Sequence, residues 1–153
     1  GNLPPPSKRG DVFRQAAVKA LDTLSRNPNG FFLMIEGSNI DKAAHSNNLE
    51  EMMEELLDFD RTAGAVLDWA SKHPGTLVVI TADHNTGAFA LTGGSREQGE
   101  ITGRFGSGSH DGVAVPVYAF GAGSGDFTGI YENTDIFNKI MNALKKGADK
   151  PVR

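Results

Sequence analysis

Six side chains in this 153-residue sequence are of the types that hold divalent metal ions: Glu36, Asp41, His45, Asp83, His84 and His110. Asp41 and His45 are four residues apart, so a helix over this segment would place both on one face. Carboxylates and imidazoles around two ions about 3.5–4 Å apart are a common arrangement for phosphoryl transfer. The set therefore predicts a metal site with that chemistry.

Two apolar runs lead directly into these candidate ligands. Phe31–Ile35 precedes Glu36, and Thr76–Thr81 comes just before Asp83. Phe31–Ile35 is apolar at every position rather than alternating, which predicts a strand covered on both faces, as in parallel sheets. Thr76–Thr81 (TLVVIT) predicts a second buried strand. Ligands in open α/β folds gather at the carboxyl ends of such strands. Both runs are therefore expected to deliver their ligands to one edge of a sheet.

Helical periodicity recurs in three segments. The first runs over Asp11–Arg26, the second from a cap at Asn47 or Asn48 to about Lys72, and the third follows a cap at Thr134. The second would link the two strands as a right-handed βαβ unit. Its Asp58 and Asp60 are assigned to the solvated face of that helix.

The remaining segments complete the predicted fold. Residues 1–10 are rich in proline and predict an extended tail. Phe89–Thr92 is a candidate short strand, Gly93–Ser109 is expected to be a long surface loop, and Val113–Phe120 is a third strand. We therefore expect one domain over residues 11–153, a three-layer α/β/α fold with a mostly parallel sheet.

Composition excludes several classes of function. A net charge of -4 gives no broad basic surface for nucleic acid. No apolar run approaches 18 residues, so no membrane span is expected. The sequence has no cysteine, which excludes thiolate zinc sites and disulfides. Histidine, aspartate and glutamate are then the only strong metal ligands.

Each candidate also has a purely structural explanation. Asp41 could cap a helix, and the pair Asp83-His84 could form a turn. His73 is assigned to a helix-ending loop. Residues 109–111 (Ser-His-Asp) have the types of a catalytic triad, but sequence neighbours cannot pass a proton in that geometry. The metal hypothesis therefore depends on the six residues together.

Five segments resemble the bacterial alkaline phosphatases. They are FFLMIEGSNIDKAAH, LDFDRTAGAVLDWA, TLVVITADHNTG, HDGVAVPVYAFG and FTGIYENTDIFNKIM, which together span about Phe31 to Met141. The related sulfatases and nucleotide pyrophosphatases share the pattern of Asp, His, Asp-His and His. Glu36, five residues before Asp41, is more typical of the alkaline phosphatases and favours that family.

The resemblance implies a phosphomonoesterase with two zinc ions and one magnesium ion. By motif, the first zinc would be held by Asp41, His45 and His110, the second by Asp83 and His84, and the magnesium by Glu36. Lys42 matches a lysine that approaches the phosphate through water. The sequence departs from the family at Asp111, where threonine is common.

The resemblance also implies that part of the site lies outside this sequence. No Asp-Ser-Ala nucleophile motif occurs in it. We therefore expect the carboxyl-terminal portion of a phosphatase that works through a phosphoseryl intermediate, with the isolated chain nearly inactive. The full-length protein is expected to be a homodimer, periplasmic or secreted. A non-catalytic metal-binding or scaffold domain and a chain that holds no metal are the alternatives.

Overall fold

The structure, a computed structural model, describes residues 4–148 as helices alternating with short strands. In chain order the elements are α1 (Pro6–Arg9), α2 (Val12–Leu24), α3 (Ser38–His45), α4 (Leu49–Ser71), β1 (Leu77–Ile80), β2 (Asn85–Thr86), β3 (Ala90–Ser95), β4 (Glu100–Arg104), β5 (His110–Asp111), β6 (Tyr118–Gly121), a 3-10 turn (Ser124–Phe127) and α5 (Asp135–Ala148). This alternation is typical of the α/β class.

The long helix α4 forms where its sequence pattern places it. Asn48 caps it, because the side-chain oxygen accepts a hydrogen bond of 3.2 Å from the backbone N–H of Glu51. Acidic side chains in the first turn complement the positive end of the helix dipole. The inward stripe includes Trp69 and Ala70, which pack with Leu21 of α2 as one core cluster. The predictions for α2 and α4 are confirmed to within two residues at each end.

Every strand ladder within residues 4–148 is antiparallel. β1 pairs with β6, β2 with β5, and β3 with β4. The sequence predicted a mostly parallel sheet, and these ladders differ from it. A parallel pair needs a crossover that returns the second strand beside the first. Helix α4 provides a crossover from Phe31–Ile35 to β1, but the two segments do not form a ladder.

The segment Phe31–Ile35 is not a strand in the structure. Phe31 and Leu33 pack against the core cluster of α2 and α4. The alternate residues Phe32 and Met34 are 62% and 75% exposed. Successive side chains of an extended segment point to opposite sides, so the apolar run has one covered face and one exposed face. Within residues 4–148, no strand pairs with either edge of this segment.

The bare face predicts self-association of the isolated chain. Exposed apolar side chains on an unpaired extended segment favour contact between copies. Replacing Phe32 and Met34 by serine should shift the mass in multi-angle light scattering toward the 16.3 kDa monomer. The free energy of unfolding should change by no more than about 0.5 kcal/mol, because both side chains are exposed.

Phe31 offers the matched control for this prediction. Its ring packs edge-on to Trp69 with centroids 6.3 Å apart. Phe31→Ser should therefore lower the free energy of unfolding by about 1–2 kcal/mol, the value for a half-buried aromatic side chain. If the double serine variant associates as the unmodified chain does, the exposed face is not the cause.

The predicted surface loop over Gly93–Ser109 is largely a hairpin instead. β3 and β4 pair from Ala90 opposite Arg104 to Ser95 opposite Glu100, with a register shift between Leu91 and Gly93. A strand is predicted from the alternation of apolar and polar side chains, and the glycines in this segment have no side chain that could show it. At Gly103 a side chain would collide with the ring of Phe89, at 2.2 Å from an added Cβ, so glycine is required for this pairing.

The sequence predicted an extended tail over residues 1–10; residues 1–3 lie outside the described residues, and residues 4–10 differ from the prediction. Pro6–Arg9 forms one helical turn, in which Pro6 is buried and has no N–H to leave unpaired. Arg9 binds Glu55 and Asp58 on α4 at 2.6 and 2.8 Å. Asp58 is 2% exposed, so its assignment to the solvated face was wrong. The guanidinium from a distant part of the chain compensates for burial of its charge.

Within the described residues, no helix combines the length and the apolar character that crossing a membrane requires.

Candidate metal centre

Helix α3 places the first two candidate ligands. Its inner face buries Ala43 and Ala44 against Met52 of α4, which fixes the helix on the core. Asp41 and His45 lie one turn apart, as their spacing predicted, with His45 Nε2 3.5 Å from Asp41 Oδ2. The half-buried carboxylate in the first turn of α3 and the exposed imidazole at its carboxyl end therefore lie side by side on one face of the helix.

His110 on β5 joins this pair from a distant part of the chain. Its Nε2 lies 3.0 Å from His45 Nε2 and 3.7 Å from Asp41 Oδ1. Ligands that surround one zinc ion tetrahedrally at its usual bond lengths are about 3.3–3.4 Å apart. The separation of the two imidazole nitrogens is shorter than that value, and the two separations to Asp41 are longer. His45 faces Oδ2 of Asp41 and His110 faces Oδ1, so the carboxylate would have to turn for one of its oxygens to share an ion with both imidazoles.

A hydrogen bond at Nδ1 of His45 determines which of its two ring nitrogens carries the proton. His45 Nδ1 lies 2.7 Å from the carbonyl oxygen of Gly108. A carbonyl can only accept a hydrogen bond, so Nδ1 carries the proton and donates it. In the neutral ring Nε2 then presents its lone pair toward His110 and Asp41, which is the form that binds metal.

His84, which follows β1, extends the cluster. Its ring stacks on that of His110 with centroids 3.6 Å apart. One ligand atom from each of Asp41, His84 and His110 lies within 4.8 Å of the others. The structure thus brings together residues that the resemblance assigns to two different zinc ions.

Three other predicted residues lie less close to this cluster. The Asp83 side chain is 85% exposed, with Oδ2 3.4 Å from His84 Nε2. Glu36 is exposed and makes no hydrogen bond or ion pair within residues 4–148. Lys42 Nζ donates a hydrogen bond of 3.1 Å to Asn39 Oδ1, which in turn is linked through Asn39 Nδ2 to Glu55.

A tight turn after β2 brings the two ligand-bearing loops together. Gly87 has φ +80° and donates its N–H to the Ser109 carbonyl at 3.0 Å. An added Cβ would lie 2.8 Å from the Phe105 ring and 3.1 Å from the Ala44 carbonyl. Glycine is therefore required, both by the backbone conformation and by the close approach to the end of α3.

The carboxylate of Asp111, next to His110, holds three neighbouring segments together by hydrogen bonds and is called the Asp111 clamp. Its carboxylate accepts hydrogen bonds from Asn85 Nδ2 at 2.9 Å, Ala88 N–H at 3.1 Å and Val113 N–H at 3.0 Å. These donors, the Val113 N–H foremost, hold the pKa of Asp111 below its ordinary value. Asp111 thus gives the ladder between β2 and β5 a charged acceptor.

Asp111→Ala should accelerate amide hydrogen exchange at Ala88 and Val113, because both N–H groups lose their acceptor. In the unmodified chain, these two amides should be protected from exchange at a pH above the unfolded pKa of an aspartate, about 3.9. This protection should be lost as the pH falls through the pKa that Asp111 has in the folded chain, which is lower. Asp126→Ala, which removes a carboxylate paired with Lys146 elsewhere, is the control. Unchanged exchange in the Asp111 variant would contradict the clamp.

Two functional contacts were missed in the sequence. Thr86 donates a hydrogen bond of 2.6 Å to Asp41, and Asn39 holds Lys42. Thr86 could have been found, because residues two apart in an extended segment share a face and Thr86 is two after His84. The contact of Asn39 with Lys42 follows the i, i+3 spacing of a helix, but the burial of Asn39 against Glu55 depends on how α3 packs on α4, which the spacing does not give.

Comparison with known proteins gives the family. The alkaline phosphatase family pattern matches residues 7–103. Alkaline phosphatase 4 of Bacillus subtilis (strain 168) is 29% identical over 88% of this chain and 44% of its own length. The structure of alkaline phosphatase from the Antarctic bacterium TAB5 has a TM-score of 0.86 and 39% identity, over 94% of this chain and 44% of that one.

A variant of the TAB5 enzyme with magnesium bound in its M3 site gives a TM-score of 0.85 and 38% identity, again over 94% of this chain and 44% of that one. These likenesses confirm the predicted alkaline-phosphatase-like α/β fold, in partial form. The chain spans less than half the length of these relatives. Because the family pattern covers most of the sequence, the chain belongs to the alkaline phosphatase family.

Proposed function

We propose that this chain is the metal-binding portion of a zinc- and magnesium-dependent phosphomonoesterase. The observation that carries the proposal is the convergence of Asp41, His84 and His110, each with a ligand atom within 4.8 Å of the others, in a chain of this family. Clusters of neutral imidazoles with carboxylates are the donor set that zinc prefers when no thiolate is present.

The proposed ligands divide among three ions. Asp41, His45 and His110 would hold the first zinc, which is supported by the inward-facing lone pair of His45 and the short separations around it. Asp83 and His84 would hold the second, supported by their 3.4 Å separation. Bound zinc would supply Lewis acidity and a water of lowered pKa.

Magnesium is proposed at Glu36 on two grounds. The first is the motif, and the second is the magnesium bound in the M3 site of the TAB5 variant. The Glu36 carboxylate is exposed, so it is free of competing contacts within residues 4–148. Carboxylate oxygen with several water ligands is the coordination that magnesium favours.

Lys42 would draw the phosphate group toward the centre. Its ammonium group is anchored by the buried side chain of Asn39, one turn before it on α3. A point charge held beside Asp41 attracts a phosphate dianion without needing direct contact. We propose that the contact passes through water.

The nucleophile is proposed to lie outside this sequence, because no Asp-Ser-Ala motif occurs in it. The parent protein would transfer the phosphoryl group to that serine and then to water. The isolated chain should bind zinc but hydrolyse p-nitrophenyl phosphate slower than intact alkaline phosphatases by several orders of magnitude. Rapid zinc-dependent hydrolysis by the purified chain would contradict this part.

The metal-binding part has its own test. Equilibrium dialysis against zinc should give at least one bound ion per chain, and His73→Gln should not change the number. His73 is a suitable control because its ring stacks on Trp69 at a centroid distance of 3.6 Å, and its Nδ1 lies 2.7 Å from the Trp69 carbonyl. No bound zinc would favour a scaffold without metal.

Two proposals concern the full-length protein. By family, it would be a homodimer that acts on phosphate monoesters in the periplasm or outside the cell. Cell fractionation and analytical ultracentrifugation of the complete gene product test these points. A cytosolic monomer would contradict both.

A further inference from the structure

The hydroxyl group of Thr86 connects two of the candidate ligands. Thr86 is 8% exposed and lies opposite His110 in the ladder between β2 and β5. Its Oγ1 lies 2.6 Å from Asp41 Oδ1 and 3.1 Å from His84 Nδ1. In the proposed assignment, Asp41 belongs to the first zinc and His84 to the second. One buried hydroxyl therefore contacts a ligand of each ion.

The protons at this contact can be placed by elimination. An ionised carboxylate can only accept hydrogen bonds, so the single proton of the Thr86 hydroxyl is donated to Asp41. The hydroxyl oxygen is then left only as an acceptor toward His84. The proton between them must come from His84 Nδ1–H.

This arrangement fixes the form of His84 before any metal binds. With the proton on Nδ1, the neutral ring has its lone pair on Nε2, the nitrogen that faces Asp83 at 3.4 Å. The donated hydroxyl proton also occupies one lone pair of Asp41 Oδ1 and leaves Oδ2, at 3.5 Å from His45 Nε2, directed at the first site. Such supporting contacts orient ligands and raise metal affinity.

We propose that Thr86 is a positioning residue that couples the two zinc positions by holding His84 in its Nδ1–H tautomer and Asp41 in its ligand orientation. The inference rests on the proposed function for its consequence in metal binding. Its consequence for the tautomer of His84 does not depend on metal.

Thr86→Val and Thr86→Ser form a matched pair of variants. Valine keeps the shape of threonine without the hydroxyl, and serine keeps the hydroxyl without the methyl group. Nitrogen-15 NMR of the metal-free chain at a pH where His84 is neutral should show the Nδ1–H tautomer in the unmodified chain and in Thr86→Ser. Thr86→Val should lose that preference.

Zinc affinity should follow the same order. Competition with a chelating dye should show a loss of about 10–100-fold for Thr86→Val, the usual effect of removing a group that supports a ligand. Thr86→Ser should restore most of the affinity, which a purely structural role of the side-chain volume would not predict. Circular dichroism should show that both variants remain folded.

Several outcomes would overturn the inference. A neutral His84 in the Nε2–H form in the unmodified chain would do so without any variant, as would a valine variant with unchanged tautomer and zinc affinity. If the unmodified chain binds no zinc, the proposed function fails, whereas the tautomer measurement still decides whether Thr86 positions His84.

Discussion

Replacing Arg9 by alanine should destabilise the fold by about 3–5 kcal/mol, the usual cost of leaving buried charges without their partner. Arg9 donates to Glu55 at 2.9 and 2.6 Å and to Asp58 at 2.8 Å. The exposed fractions of the two acidic residues are 5% and 2%. The hydrogen bond with Glu55 is also the foremost cause that raises the pKa of Arg9 above its ordinary value.

Arg61 supplies the matched control. It reaches the same Asp58 at 3.3 Å, but its side chain is 58% exposed. Arg61→Ala should cost no more than about 1 kcal/mol, since exposed ion pairs contribute little. Urea unfolding of both variants measures the difference. A loss below about 1 kcal/mol for Arg9→Ala would contradict the view that this contact compensates two buried carboxylates.

Removing the Arg9 side chain should also disturb the position of Lys42 beside the candidate metal centre. Glu55 accepts a hydrogen bond of 3.2 Å from Asn39, and Asn39 accepts one from Lys42. An unpaired Glu55 would draw water into this region and weaken the anchor of Lys42. Arg9→Lys should recover only part of the stability, because an ammonium group cannot form the paired hydrogen bonds of a guanidinium.

Replacing His110 by alanine should lower zinc affinity at least about 100-fold, since it removes a ligand rather than a supporting group. His110 is the shared member of the cluster. Its Nε2 is 3.0 Å from His45 Nε2, and its ring stacks on His84 at 3.6 Å. Removing it would therefore affect both proposed zinc positions.

Isothermal titration with zinc chloride measures this effect, with His73→Gln as the control for the loss of one imidazole. The free energy of unfolding without metal should change little in His110→Ala, because the His110 side chain is 52% exposed. Equal zinc affinity in His110→Ala and the unmodified chain would remove His110 from the site.

The sequence predicted the elements that depend on local pattern. Helices α2 and α4 follow an apolar period of about 3.6 with a clear cap at Asn48. Strand β1 lies inside the predicted run Thr76–Thr81. The spacing of Asp41 and His45 also predicted their contact, because that contact is made within one helix.

The failures came where partners are distant in sequence. Asp58 has the spacing of a solvated helix residue, and its burial depends on Arg9, which lies 49 positions earlier in the sequence. The glycines of the hairpin over Ala90–Arg104 carry no hydropathy pattern, so only the pairing with the opposite strand identifies it.

Phe31–Ile35 shows a different limit. An apolar run indicates that its side chains favour burial. It does not indicate which other strand, if any, its backbone pairs with. Here one face is covered by Leu21 and Trp69, while Phe32 and Met34 are bare. The predicted burial is confirmed for Phe31 and Leu33 and wrong for Phe32 and Met34, and the predicted strand is not formed.

The metal centre itself is tested most directly by X-ray absorption spectroscopy at the zinc edge, on the chain loaded with zinc and freed of excess metal by gel filtration. We predict nitrogen and oxygen neighbours at about 2.0–2.1 Å, with the outer-shell scattering of at least two imidazole rings per chain and none from sulfur. Zinc that does not stay bound through the gel filtration, or a spectrum without imidazole scattering, would contradict the assignment of His45, His84 and His110 to this centre.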